Sequence, residues 1–315
     1  MMWVSQLEKS TQSLIENAEP HRQSILFTAW IAVLLTSNLA IILWRELTSG
    51  EPLWWPWVHA IGLFVIFSAT LLVTHLRPLR HFLIILIAIF LLGYGGGWEF
   101  GLIPFIRDSS VWTGWTASLP VLISELATHL LRLVPACVIL IILLGLGLKR
   151  ADFFLIKGEI DAPVEPSRLL GMKKPEPWTR IGTIFAIVFA VFTLIFLLGS
   201  WGVPSSSTFN LLTIIPLAII IATMNAFNEE FTLRAAPLSV LWEKIGKQQA
   251  LLITTVYFGL GHFYGVPNGV LGVLLSGFLG WFLGKSLLET RGFFWAWLIH
   301  FLPDVFIFTF FLMVV

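Results

Sequence analysis

Three short stretches in the second half of the chain carry ionisable side chains inside otherwise apolar sequence: N-E-E-F-T-L-R at 228–234, F-G-L-G-H at 258–262 and H-F-L-P-D at 300–304. Groups of this kind are expensive in an apolar segment and line bundle interiors, cavities or substrate paths. Glu230 and Arg234 stand i, i+4 and can pair across one helical turn, which makes them far cheaper to bury than lone charges. Glu229 points about 100° away from Glu230 and lacks such a partner, so it is the carboxylate available as a general base. The competing reading is an acidic first turn of a helix at the membrane surface. His300 and Asp304 also stand i, i+4, an imidazole and a carboxylate that orient a water or a carbonyl, or simply satisfy each other. His262 sits among Gly259, Gly261 and Gly265, which by themselves mark close helix packing. A shared polar cavity accounts for these residues together.

A second set, Glu125, His129 and Arg132, falls on one helical face at i, i+4 and i+7. An interhelical lock, or the interfacial first turns of a helix, is favoured there over a proton or ion path. Cys137 is the only cysteine, which excludes an intrachain disulfide and a cysteine-rich metal centre. No G-x-S-G stretch is present, and G-L-G-H at 259–262 has histidine where an intramembrane aspartyl protease motif would need aspartate.

The elements that must hold these residues are membrane helices. Hydrophobic residues make up 57% of the 315 and charged residues 12%, about half the charge of a typical soluble domain. A formal net charge of +1 offers no field for a polyanion, so nucleic acid is a poor partner. Phe and Trp far outnumber Tyr, with 27 and 15 against 3, which suits lipid-facing and headgroup-level side chains. Nine apolar stretches approach the roughly 20 residues that cross a bilayer as a helix: 25–44, 57–76, 82–96, 120–148, 181–198, 208–227, 250–265, 269–284 and 293–313. The third and seventh are the weakest. Strand alternation is absent, so the expected fold is all-α, a polytopic transmembrane bundle of about eight or nine spans.

With nine spans, every basic residue except Arg45, Arg107 and Arg132 falls on the side of the 149–180 connection. The positive-inside rule then places the amino end in the cytoplasm and the carboxyl end opposite. Prolines and charges between Asp161 and Pro177 mark the one break, dividing the chain into amino-terminal helices (1–150), a cytoplasmic linker (151–180) and a membrane core (181–315).

Taken together, Glu229, Glu230 and Arg234, then Phe258 and His262, then His300 and Asp304, resemble the E-E-x-x-x-R, F-x-x-x-H and H-x-x-x-N/D patterns of the CAAX-protease and bacteriocin-processing intramembrane peptidases. The likeness is firm over about 205–312. D-F-F-L-I-K-G at 152–158 is similar to a connection found in many bacterial members, and a prokaryotic plasma membrane is the expected location. The resemblance implies an endopeptidase in which Glu229 and His262 activate water and His300 and Asp304 bind the carbonyl oxygen. Glu230 and Arg234 would then hold the helix in place. The prenyl-protein enzymes of the family have Asn where this chain has Asp304. An ionised carboxylate would repel an oxyanion, so Asp304 is either protonated at work or orients His300, the second being preferred.

No cofactor is favoured; zinc or another divalent metal is the alternative, since Glu, His and Asp are competent ligands although H-E-x-x-H is absent. The expected partner is a membrane-associated or lipidated peptide. A proton-coupled transporter and a noncatalytic scaffold are the competing functions, the first lacking visible symmetry between halves. One conflict remains within the nine-span reading: Glu229 falls at one end of its span and His262 at the opposite end of the next. It is relieved if the helix from Leu211 continues to about Trp242, kinked near Asn225, or if 250–265 crosses only part of the bilayer.

Overall fold

A computed structural model of the protein describes residues 20–48, 50, 53–93, 100–202 and 211–314. Apolar runs in lipid have no water to satisfy their backbone groups and therefore close them internally as helices. The first is a bent pair, α1 (Pro20–Thr36) and α2 (Leu39–Thr48), turning through 48°. At the bend the Thr36 and Ser37 hydroxyls donate to the carbonyls of Ala32 and Leu34. Then come α3 (Trp55–Leu72), a 3-10 turn at Thr74–Leu79 running into α4 (Arg80–Leu92), and the short α5 (Leu102–Arg107) and α6 (Ser110–Ala117). Helices α7 (Val121–Arg132) and α8 (Val134–Gly145) form one apolar rod, interrupted where Pro135 removes a backbone donor.

The carboxyl-terminal half contains α9 (Trp178–Trp201), α10 (Leu211–Glu229), a π-helical turn (Glu230–Ala235), α11 (Ala236–Ile245), α12 (Lys247–Gly261), α13 (Gly269–Thr290) and α14 (Phe294–Val314). Among the described residues seven helical rods are long and apolar enough to cross a membrane, or eight with the bent pair. The polytopic helical bundle is as expected; the count falls short of nine because α12 has 15 residues, about 22 Å at 1.5 Å per residue, against roughly 30 Å of hydrocarbon.

The depth conflict disappears in the same geometry. The rod Leu211–Ile245 is continuous over 35 residues, and its irregularity is the π turn after Glu229 rather than a kink at Asn225. Gly246, with φ of 88°, turns the chain back into α12. Glu229 precedes Gly246 by about as many residues as His262 follows it, so the two reach similar depth. Arg234, counted with the basic loops from sequence, is wholly buried inside the bundle.

Segment 151–177 is folded onto the core. Val164 and Glu176 pair with each other beside Pro163 and Pro177 in a two-residue antiparallel ladder, β1 (Pro163–Val164) with β2 (Glu176–Pro177). Phe153 and Phe154 are buried. The backbone N–H of Glu159 donates to Thr290 and that of Phe293 to Ile156, at 2.7 and 2.8 Å. Gly158, with φ of 72°, lies so close to Gly292 that a Cβ there would meet the Gly292 Cα at 2.5 Å. Lys247 lies 3.8 Å from Glu165 of this segment, and elsewhere the Ser24 hydroxyl contacts His75 in the turn before α4 at 3.2 Å.

Candidate active site

Helix α10 brings Asn225 and Glu229 to one face, four residues apart, and the π turn begins at the next residue. The wider turn sends the two adjacent glutamates to different neighbours, the kind of irregularity that recurs at functional sites. Glu230 and Arg234 pair with each other at zero exposure. The Arg234 guanidinium also lies over the Phe258 ring, 4.3 Å from its centroid. Gly280 of α13 admits this arrangement, since a Cβ there would stand 3.1 Å from both the guanidinium and Phe258.

Helix α14 contributes His300 and Asp304 around Pro303. His300 Nδ1 meets the Glu230 carboxylate at 2.7 Å, while its Nε2 faces Glu229 Oε2 at 3.8 Å and Asp304 Oδ2 at 3.7 Å. The preferred sequence reading is corrected here: Glu230, not Asp304, makes the hydrogen bond that orients His300. Asp304 instead accepts from Asn225 Nδ2 at 3.0 Å, and the same amide reaches Glu229 Oε1 at 3.3 Å. Glu229 is not partnerless either, because Arg132 from α7 stands 3.7 Å from Oε1.

His262 follows the last residue of α12, and its Nδ1–H donates to the Phe258 carbonyl at 2.8 Å. That bond fixes the tautomer and leaves a lone pair on Nε2. Glu229, His262, His300 and Asp304 all line one cavity of about 390 Å³, with Asn225 and Arg132 beside them. Phe189, Phe192 and Phe196 of α9, Phe278 of α13, and Phe308 and Phe311 of α14 supply apolar wall. Phe258 lies between the histidines, its ring centroid 4.4 Å from that of His262 and 6.4 Å from that of His300.

Two contributors escape the motif reading. Asn225 stands i, i−4 from Glu229, a spacing that identifies it once Glu229 is singled out. Arg132 belongs to the stripe expected to be an interhelical lock. Its neighbour His129 is indeed buried edge-on against Phe308, at 4.9 Å, but Arg132 reaches the cavity. Among the described residues no group of three or more His, Cys, Asp or Glu side chains is arranged to hold a metal ion.

The fold and site define a class, a polytopic helical membrane protein with a carboxylate and imidazole cluster opening into a largely apolar cavity. Within it, residues 211–306 match the family model described as type II CAAX prenyl endopeptidase, Rce1-like, so over this part the chain is similar to that family. The match runs from the start of α10 into α14 and includes every motif residue from Glu229 to Asp304. Comparison with curated proteins and with solved structures returns no match.

Proposed function

We propose that the protein is an intramembrane endopeptidase that hydrolyses a peptide bond with a water activated by Glu229. The observation that carries this reading is the unbonded gap between Glu229 Oε2 and His300 Nε2 at 3.8 Å, in the wall of a cavity that His262 also lines. A water seated in the cavity beside that gap can reach both atoms. Glu229 takes a proton from that water as its oxygen attacks the carbonyl carbon; the C–N bond then breaks, and the proton passes to the departing amine.

Among the described residues the cluster holds two guanidiniums and three carboxylates, a net negative charge in apolar surroundings. One further proton balances it. Placed on His300 Nε2, while Nδ1 stays with Glu230, this proton gives the site a donor for the developing oxyanion. His262 Nε2 accepts from the same water or from the leaving amine. The phenylalanine walls suit a lipidated or otherwise apolar peptide, as the family's CAAX-type activity implies.

The test is cleavage of a mixed set of prenylated, unprenylated and leader-type peptides by detergent-purified protein. Glu229→Gln keeps size and hydrogen bonding but cannot take a proton; it is expected to remain folded and lose most turnover. Wild-type activity in that variant refutes the glutamate base. Loss of activity with a chelator, restored only by added metal, refutes a mechanism resting on these side chains alone.

A further inference from the structure

The family match begins at residue 211, yet the cavity it supplies is completed from outside that segment. Glu229 Oε1 is approached from two sides, by Asn225 Nδ2 at 3.3 Å and by the Arg132 guanidinium at 3.7 Å. Oε2 is left toward His300 and the open cavity. A carboxylate gripped at one oxygen has its rotation fixed, so the same oxygen is always the one presented to water. Arg132 also sits at the break between α7 and α8, where Pro135 interrupts the helix. That position is near the middle of the apolar rod Val121–Gly145. A guanidinium so placed is costly unless it has a counter-charge.

We infer that Arg132 is a positioning residue for the reaction, holding the Glu229 carboxylate by Oε1 so that Oε2 receives the proton, and that α7 is therefore part of the active site. The inference rests on Glu229 being the base. Its neighbours are consistent with that division of labour. His129, one turn earlier, packs on Phe308 of α14, whose His300 and Asp304 face the same carboxylate. The stripe thus docks α7 against the site and delivers its last residue into it.

The experiment measures kcat and KM on one cleaved peptide for purified wild type, R132Q, R132M, R132K and R132A, with E229Q as reference. Displacing a reacting group by about 1 Å costs on the order of a hundredfold in rate. R132Q is therefore expected to lose about that factor in kcat with KM within twofold. R132K recovers part of it, and millimolar methylguanidine raises turnover of R132A but not of E229Q. R132M retains the apolar stem and reports the same loss should R132Q fail to fold. Wild-type kcat in a folded neutral variant, or a loss that neither lysine nor methylguanidine relieves, overturns the inference while leaving Glu229 in its role. Failure of all three neutral variants to fold, with R132K folded, makes Arg132 a structural ion and also overturns it. Turnover by E229Q overturns the base assignment itself and the inference with it.

Discussion

Removing the charge of Arg234 separates architecture from chemistry at the Glu230–Arg234 pair. Both side chains have zero exposure, and Glu230 has two partners, Arg234 and His300 Nδ1. Arg234→Met leaves the carboxylate with the imidazole alone, and breaking a buried pair from one side costs about 3–5 kcal/mol. The lost contact of the guanidinium with the Phe258 ring adds about 0.5–2 kcal/mol. The sum is a drop of at least a hundredfold in the folding equilibrium. Glu230→Met with Arg234→Met removes both charges and fills similar volume, an exchange that is often neutral or stabilising. The double variant is therefore expected to recover most of the stability of wild type. Its turnover stays low, because His300 has lost the group that orients it. Folded fraction after heating, read by size-exclusion of detergent-purified protein, gives the first quantity and peptide cleavage the second. An R234M protein as stable as wild type, or a double variant no more stable than the single one, refutes the reasoning.

Asp304→Asn is expected to keep turnover within about tenfold of wild type, since the amide oxygen still accepts from Asn225, whereas Asp304→Ala forfeits that bond, worth about 1–2 kcal/mol; cleavage rates compare them. Gly259→Ala is expected to destabilise more than Gly284→Ala. The added methyl at 259 would meet the Val273 backbone oxygen at 2.8 Å, while at 284 the obstacle is the movable end of Leu251 at 2.6 Å; melting temperatures in one detergent decide. Reporter fusions after residues 20, 165 and 315 are expected to read cytoplasmic, cytoplasmic and opposite, from the basic-residue bias, and a cytoplasmic carboxyl end contradicts the orientation.

The helices were legible because lipid imposes one rule on every residue of a span. The motif residues were legible because each member of a motif lies within one helical turn of another: Glu230 with Arg234, Phe258 with His262, His300 with Asp304. What spacing within a helix does not reveal is which partner wins between helices. His300 has Asp304 one turn away, yet its Nδ1 bonds to Glu230, brought across from the π turn. Arg132 meets a carboxylate nearly a hundred residues later, and its own stripe suggested only a lock. Segment 151–177 read as a linker from its prolines and charges. Its fit against the α13–α14 turn depends on the approach of Gly158 to Gly292, a contact with no local signature.

The shortness of α12 has a consequence for how the protein is made. A helix of 15 residues that begins at Lys247 and is followed by a histidine is a poor substrate for membrane insertion on its own, because it neither reaches across the hydrocarbon nor covers its polar ends. Its better course is to wait for α13, against which it packs closely at Gly259 and Gly277, and to enter the bilayer with it as a hairpin. His262 then arrives only after the residues up to about Thr290 have been synthesised, and His300 later still. The nascent chain would hold Glu229 in the membrane before either histidine, so the proposed site is completed only once α14 has been made.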